Sequence, residues 1–244
     1  QNKMRHAVKK CCHLICVSQN TQSDLFKLFP QVDPAKTSVI YESAETKYSQ
    51  FLKLPAAAQA KKKSVIKKQY GLNNFILAQG TREPRKNLNR LIDAFLKFKQ
   101  KYPKTRVQLA ITGKYGWGQD VTTKDPSIKI LGFIPEKDMV GLHASAICLA
   151  YPSLYEGFGL PVVKSLKVGV PVITSHNSSL IEISQGAAIL VDPNSTESIA
   201  KAIEKIVHSK KLRQQLSRRG IEIAKKFSWQ TAAKQTLMVY TSLC

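Results

Sequence analysis

The sequence has few acidic residues and no long apolar run. Asp and Glu number 16 against 38 Lys and Arg in 244 residues, which gives a formal net charge of +22. This charge predicts attraction to polyanions such as nucleotide phosphates, anionic lipid headgroups or nucleic acid, without selecting among them. The longest apolar stretches, such as residues 144–151, are too short to cross a bilayer. The basic residues 1–10 precede an apolar run that is too short for a signal peptide, so we expect none.

Cysteine is also scarce, and its spacing does not match a metal site. Cys11, Cys12 and Cys16 lie near His6 and His13, but no paired CxxC arrangement occurs, so we expect no zinc there. Residues 13–17 indicate instead a buried strand in which cysteine acts as a small hydrophobe. The five cysteines are an odd number of apparently buried thiols, which is typical of a reducing cytoplasm. No Asp-x-Asp motif is present, and we predict no metal site.

A hydrophobic content of 43% excludes a wholly disordered chain, and the apolar residues alternate between strand and helix patterns. The pattern predicts strands at 13–17, 38–41, 75–78, 107–111, 128–131, 146–150, 171–174 and 188–191. It predicts helices at 18–28, 61–70, 88–102, 136–144, 161–168, 180–184, 198–208, 211–227 and 230–243. Alternating strands and helices predict an α/β fold, a Rossmann-like doubly wound parallel sheet with both faces covered. The chain begins with Gln in what looks like the middle of an element, so we expect an upstream part.

Between residues 42 and 60 the periodicity weakens. Residues 55–58, Pro-Ala-Ala-Ala, have the composition of a linker. The basic helix predicted at 61–70 is followed by Gly71, a residue type that commonly ends helices.

Ligands of doubly wound sheets bind outside the carboxyl ends of the strands, so the loops that leave strands are the first candidates for a site. Residues 152–161, PSLYEGFGLP, follow a predicted strand and open a predicted helix. The two glycines allow a close backbone approach, and the amides of Gly159 and Leu160 suit a diphosphate at a helix N-terminus. Glu156 stands beside them and can accept hydrogen bonds from sugar hydroxyls. The alternative is a plain strand-to-helix turn around a buried aromatic residue.

A second candidate site is the turn of residues 80–87, GTREPRKN. Arg85 and Lys86 lie between a strand and a helix, where Arg85 can bind phosphate oxygens in bidentate fashion and Lys86 as a point charge. The alternative is a solvated basic turn, which would be the better interpretation without its position at a strand exit.

These motifs resemble those of the retaining glycosyltransferases of family 4, which have the GT-B fold. The resemblance runs from about residue 72 to 240. Its motifs are 80–87, 113–117 (GKYGW), 131–135 (LGFIP), 155–161, 169–175 (GVPVITS), 178–182 (SSLIE), 192–193 (DP) and 227–229 (FSW). It implies that 1–45 are the end of an N-terminal acceptor domain, 46–71 a linker and basic helix, 72–227 the nucleotide-sugar-binding domain, and 228–244 a C-terminal helix.

The resemblance also implies a role for each site residue. Arg85 and Lys86 would hold the donor diphosphate and stabilise the leaving nucleotide. Glu156 would contact the transferred sugar, and backbone groups near Phe133 and Ile134 would receive the base. The remaining residues implied in donor binding are Gly80, Gly157, Phe158, Gly159, Leu160 and Lys164. No cofactor is implied beyond the donor substrate, a nucleotide diphosphate sugar linked to GDP or UDP.

The sequence departs from the family pattern in three places. Lys164 stands where the family has a second glutamate that binds ribose hydroxyls, and a cation cannot accept those hydrogen bonds. We therefore expect weaker or altered donor binding unless Glu182 or another residue substitutes. Thr81 replaces an arginine found in many members, and Arg85 can serve instead. Most of the acceptor-binding domain is also absent from the sequence.

The leading hypothesis is the donor-binding half of a retaining hexosyltransferase, with mannose as one candidate sugar and a glycan or lipid-linked acceptor. Its alternative is a non-catalytic or truncated nucleotide-sugar-binding module held at an anionic surface. The basic runs are most simply solvated helix faces. The alternative is weak electrostatic binding to the inner face of a membrane, which would make the protein cytoplasmic and membrane-peripheral. No nucleic-acid motif occurs, and aromatic residues do not interleave with the basic runs, so we expect no nucleic acid partner.

Overall fold

The computed structural model describes residues 2–118 and 120–243 of the chain. Its β-strands are β1 (Leu14–Cys16), β2 (Thr37–Val39), β3 (Phe75–Gln79), β4 (Gln108–Thr112), β5 (Ile128–Gly132), β6 (Cys148–Tyr151), β7 (Val172–Ser175) and β8 (Ala188–Val191). Its α-helices are α1 (Asn2–Lys10), α2 (Gln19–Leu28), α3 (Thr46–Phe51), α4 (Ala56–Gln69), α5 (Leu88–Lys101), α6 (Glu136–Ser145), α7 (Leu160–Lys167), α8 (Ser178–Ser184), α9 (Thr196–His208), α10 (Lys210–Ala224) and α11 (Trp229–Thr241). Two 3-10 turns cover Pro34–Lys36 and Pro84–Lys86.

Six of the strands form one parallel sheet in the order β5-β4-β3-β6-β7-β8. The strands β1 and β2 form a separate parallel pair. The predicted Rossmann-like doubly wound sheet is therefore confirmed. The strand order reverses between β3 and β6, and the loops after these two strands are 80–87 and 152–159. Both candidate loops thus leave the sheet at its topological switch point, the position at which such sheets bind ligands.

The central strands are buried on both faces because each face carries its own apolar layer. In β3, Phe75 and Leu77 point into one core, whereas Ile76 and Ala78 point into the other, as the two-residue period of a strand requires. The first core includes residues of α3, α4, α6, α7 and α8, and the second includes residues of α5 and α9. Near-continuous apolar strand sequences follow from this double burial.

The segment between the two sheets differs from its predicted structure. The proposed linker at 55–58 is helical from Ala56 onward, because alanine is the strongest helix former and Pro55 is tolerated at the N-cap position. The helix α3 was not predicted, since six residues are too few to show a periodicity. Its Tyr48 and Phe51 are nevertheless buried. Gly71, with φ of +61°, ends the basic helix as expected.

The cysteines differ in burial, so the prediction that all of them are buried is wrong. Cys16 and Cys148 lie in the interior, but Cys11 and Cys12 are exposed just after α1. Cys244 lies outside the described residues. No group of His, Cys, Asp or Glu side chains able to bind a metal is found in the described ranges. Among these residues, no helix has both the length and the apolar character needed to span a bilayer.

Candidate functional site

The turn after β3 is held in place by Asn87. Asn87 adopts the left-handed conformation (φ 60°), which asparagine tolerates better than most residues. Its Nδ2 donates to the carbonyl of Pro152 at 2.9 Å and to that of Pro193 at 2.7 Å. One buried amide therefore fastens the turn to the loops that follow β6 and β8.

The turn brings both predicted cations to the predicted carboxylate. Nη1 of Arg85 lies 2.6 Å from Oε2 of Glu156, and Nζ of Lys86 lies 2.8 Å from Oε1. Lys86 also donates to the hydroxyl of Tyr151 at 2.7 Å. Its stem lies along Gly80, where a Cβ would be 3.2 Å from Cε of Lys86. The structure thus brings together the side chains of Arg85, Lys86 and Glu156, the three residues predicted to take part in catalysis.

Burial disfavours the charged forms of Glu156 and Lys86, whereas ion pairing favours them. Burial would raise the pKa of Glu156, but the charge and hydrogen bond of Lys86, together with the hydroxyls of Ser153 and Tyr151, outweigh it, and the pKa lies below its ordinary value. For Lys86 burial dominates over the attraction of Glu156, so its pKa lies below that of a free lysine. The side chain of Glu156 is 8% exposed and that of Lys86 is 11% exposed, so removing either partner would leave a buried charge unpaired.

In the loop of residues 156–160, the amide of Glu156 donates to the hydroxyl of Ser178 at 3.2 Å, whereas the amides of Gly157 and Gly159 are oriented differently. The hydroxyl of Ser179 lies 2.9 Å from the carbonyl of Glu156 and 2.8 Å from that of Phe158. Because a trans peptide places its N–H opposite its C=O, the amides of Gly157 and Gly159 both point away from Ser179. Within the described part of the chain, neither amide donates to a protein acceptor.

The helix α7 begins directly after this loop. Gly159 has φ of +112°, which favours glycine, and a Cβ there would lie 3.0 Å from Leu180. Pro161 occupies the first turn, as predicted. The N-terminus of α7 therefore adds the free amide of Leu160 and a positive helix end to the same loop.

The N-terminal segment supports this loop from the other side. Ser18 caps α2 as predicted, and its hydroxyl also lies 2.7 Å from the carbonyl of Gly157. Thr21 donates to the same carbonyl at 3.0 Å. These contacts fix the peptide between Gly157 and Phe158, so the ring of Phe158 stays buried between Tyr41 and Phe227.

The residues predicted to receive a base lie at the end of β5. Phe133 is 64% exposed, with Nζ of Lys114 4.8 Å from its ring centre, while Ile134 is buried in the core. Since β5 is two strands from β3, the main chain of Phe133 lies about 10 Å across the sheet from the end of β3. This exposed aromatic residue and the Arg85 turn are therefore separate parts of the same sheet edge.

Lys164 points to an acidic cluster that sequence reasoning missed. Its Nζ lies 3.6 Å from Oε1 of Glu136, 3.8 Å from Oε2 of Glu45, and 5.2 Å from the ring centre of Tyr48. Lys47 reaches the same oxygen of Glu136 at 3.0 Å. No sequence pattern indicates this meeting, because Glu45 directly precedes α3 and Glu136 is the first residue of α6.

Glu182, the substitute considered for the missing glutamate, is engaged elsewhere. It accepts the amides of Gln19 and Asn20 at the start of α2, at 2.9 and 3.2 Å. It also accepts the hydroxyl of Tyr41 at 2.6 Å. Burial, followed by this hydrogen bond, raises the pKa of Tyr41 to about 12. The carboxylates beside Lys164 are those of Glu45 and Glu136.

Comparison with known proteins identifies the family of the chain. A family model described as "Glycosyl transferases group 1" matches residues 59–223. The chain belongs to this family. The sequence-based resemblance is confirmed at this level, and the chain is a glycosyl transferases group 1 protein with a GT-B-type, Rossmann-like sheet.

Two relatives are named mannosyltransferases of O-antigen chains. The chain is 35% identical over 188 residues to "O-antigen chain mannosyltransferase B" of Escherichia coli, covering 72% of this chain and 48% of that protein. It is 28% identical over 210 residues to "O-antigen chain mannosyltransferase RfbU" of Salmonella typhimurium, covering 83% and 53%. The chain thus spans about half the length of these curated relatives.

Solved structures share the fold over nearly the whole chain. Anabaena Alr3699/HepE in complex with UDP and glucose has a TM-score of 0.81 at 20% identity, covering 99% of this chain and 67% of that one. The glycosyltransferase WaaG has a TM-score of 0.74 at 15% identity, covering 92% and 62%. At these identities the similarity supports the fold.

Proposed function

We propose that this group 1 chain is the donor-binding half of a family 4 retaining glycosyltransferase. It would transfer a hexose from a GDP- or UDP-linked sugar to an acceptor hydroxyl. One observation carries the proposal: Glu156 pairs with Arg85 and Lys86 beside unoccupied amides, at the switch point of the sheet. The names of the relatives favour mannose as the sugar.

The diphosphate would bind between the turn of 80–87 and the start of α7. Glu156 pairs with both Arg85 and Lys86, and Glu83 also pairs with Arg85. Phosphate oxygens would take over part of this pairing, and the freed carboxylate oxygens could accept hydrogen bonds from the sugar. The two cations would then stabilise the negative charge that develops on the departing nucleotide.

The nucleoside would extend along the sheet edge towards β5. The exposed ring of Phe133 and the backbone before buried Ile134 would contact the base. Lys164 cannot accept ribose hydroxyls, but Glu45 and Glu136 beside it can. We assign this accepting role to these two half-exposed carboxylates.

The acceptor would be a glycan or a lipid-linked glycan, and the enzyme would work in the cytoplasm at an anionic membrane face. The helix α4 carries five lysines, of which Lys61, Lys62 and Lys68 are exposed, next to exposed Val65. Each well-placed cation near an anionic surface contributes about 1 kcal/mol of attraction. This surface is opposite in charge to the leaflet that would carry such an acceptor.

Nucleotide binding tests the proposal most directly. The melting temperature and calorimetric Kd of the chain are measured with GDP, UDP, GDP-mannose and UDP-glucose. A ligand that binds the folded state raises stability by about 2.7 kcal/mol at a hundred times its Kd, so a clear upward shift is expected with one base.

Matched variants locate the binding. Arg85→Ala should weaken binding, whereas Arg218→Ala removes the same charge from an exposed position on α10 and should not. Glu156→Gln keeps the shape of the side chain and should weaken the binding of the sugar nucleotide more than that of the bare diphosphate. Absence of binding by a folded chain would refute the proposal.

Transfer by the longer protein, with the anomeric configuration of the product read by NMR, tests the retaining mechanism. Binding without transfer would favour the non-catalytic module instead.

A further inference from the structure

We propose that Trp117 and Glu83 position the guanidinium of Arg85 for the donor diphosphate, an inference that rests on the function proposed above. Nε1 of Trp117 donates to Oε2 of Glu83 at 3.1 Å. Oε1 of the same carboxylate accepts from Nη2 of Arg85 at 2.5 Å. With 14% of its side chain exposed, Glu83 is held largely out of water. One carboxylate therefore links an aromatic side chain of a neighbouring loop to the cation assigned to the diphosphate.

The loop of residues 113–118 delivers Trp117 because its backbone is fixed on the turn of 80–87. The amide of Arg82 donates to the carbonyl of Lys114 at 2.9 Å, and the amide of Gly116 donates to the carbonyl of Arg82 at 3.0 Å. These two bonds form a short parallel bridge between the loops.

Three glycines make the contact between the loops too close for side chains. A Cβ on Gly113 would lie 1.9 Å from the carbonyl oxygen of Gly80. On Gly116 it would lie 2.5 Å from Cγ2 of Thr81, and on Gly118 it would lie 2.8 Å from Cγ of Pro84. The loop therefore has little freedom to slide, and Trp117 stays in reach of Glu83.

The hydrogen bonds of Arg85 show why such positioning is useful. A guanidinium has five N–H donors. Arg85 uses three of them, to the carbonyl of Tyr155 at 2.8 Å, to Glu156 at 2.6 Å and to Glu83 at 2.5 Å. Among the described residues, the other two donors have no acceptor, and the plane of the group is already fixed. Such a group can make a bidentate contact to phosphate without a further loss of side-chain conformational entropy.

A double-mutant cycle tests whether Trp117 affects nucleotide binding through Glu83 and Arg85. The Kd for GDP and UDP is measured for the unchanged chain, Trp117→Phe, Arg85→Ala and the double variant. Trp117→Phe keeps a ring but removes the N–H, and should raise the Kd about three- to tenfold, the size of a typical net hydrogen-bond contribution. In the Arg85→Ala background the same substitution should cause no further loss of affinity, because the guanidinium that Trp117 positions through Glu83 is no longer present.

Two further variants separate positioning from other effects. Tyr115→Phe is the matched control, since its hydroxyl donates to the carbonyl of Gly118 at 2.7 Å in the same loop without reaching Glu83. Its Kd should not change. Glu83→Gln also removes a negative charge that repels phosphate, so it is measured in about 0.5 M salt, where screening limits charge effects to about 4 Å. Under this condition it should weaken binding.

An unchanged Kd for Trp117→Phe would overturn the inference. So would an equal loss in the Arg85→Ala background, because that result would mean direct contact of the exposed indole with the nucleotide. Failure of the unchanged chain to bind either nucleotide would refute the proposed function itself, and the inference with it.

Discussion

The hydroxyl of Tyr41 lies 2.6 Å from Oε1 of Glu182, although the two residues are 141 positions apart in the sequence. The same carboxylate accepts two amides at the start of α2. A negative side chain at a helix N-terminus is stabilising, and here it comes from α8 rather than from the helix itself. Glu182 therefore joins the N-terminal segment to the six-stranded sheet.

Glu182→Ala should lower the free energy of unfolding by about 1–3 kcal/mol, since it leaves two helix amides and one hydroxyl without their acceptor. Chemical denaturation at neutral pH provides the measurement. Glu222→Ala serves as control, because this carboxylate is 67% exposed and, among the described residues, pairs with Lys225 directly after its own helix. A change of less than about 0.5 kcal/mol is expected for the control. Equal effects of the two substitutions would contradict the joining role of Glu182.

Stability should fall as the pH drops from 7 to 5, because His143 is buried and neutral. Burial lowers the pKa of His143 to about 3, from an ordinary value of 6.5. Its Nδ1 lies 2.8 Å from the hydroxyl of Ser165, and its Nε2 lies 2.5 Å from Oε1 of Gln79, so one neutral tautomer satisfies both contacts. Below pH 6.5 the unfolded chain binds a proton that the folded chain does not, and the folded state loses relative stability. From pH 6.5 to 5 this amounts to about 2 kcal/mol.

Denaturation curves of His143→Gln at several pH values check this assignment. Glutamine keeps polar atoms near Ser165 and Gln79 but does not titrate. The slope of stability between pH 7 and 5 should therefore become shallower. A slope equal to that of the unchanged chain would mean that another group is responsible.

Lys164→Glu should destabilise the chain by about 1–2 kcal/mol, discounted for the half-exposed partners, because it would place a third carboxylate beside Glu45 and Glu136. The sequence alone led to the expectation that this change would improve donor binding by restoring the family glutamate. The geometry adds a stability cost that this expectation did not include.

The charge-swapped pair Lys164→Glu with Glu136→Lys separates the two effects. It restores opposite charges and should recover most of the lost melting temperature. If a carboxylate at position 164 improves nucleotide binding, the nucleotide-induced shift of this double variant should exceed that of the unchanged chain. A smaller shift, with the melting temperature recovered, would mean that the carboxylate lost at position 136 contributes more to nucleotide binding than the one gained at position 164.

Local sequence pattern was sufficient for most of the sheet and for the central cluster of the site. Strand β3 and helix α5 carry strong periodicity, and the turn between them holds Arg85 and Lys86 at a strand exit. The common location of these cations and Glu156 followed from the rule that ligands bind at the carboxyl ends of the strands, whereas their direct ion pairing was not predicted. The short helix α3 was missed because its burial depends on the packing of Tyr48 and Phe51 rather than on propensity.

Contacts between segments that are far apart in the sequence could not be predicted from the sequence alone. Neither the engagement of Glu182 with α2 nor the position of Lys164 between Glu45 and Glu136 leaves a local pattern. Trp117 was visible only as an aromatic residue in a glycine-rich loop. Its partner Glu83 could be identified only once the two loops were seen to lie side by side.

The charges of the central cluster balance: Arg85 and Lys86 carry two positive charges, and Glu83 and Glu156 carry two negative ones. The excess of +22 therefore resides elsewhere on the surface. An approaching anion would be drawn in by this distributed field and retained by short contacts that the cluster itself supplies. We expect added salt to slow the association rate far more than it speeds dissociation, which stopped-flow measurements can resolve.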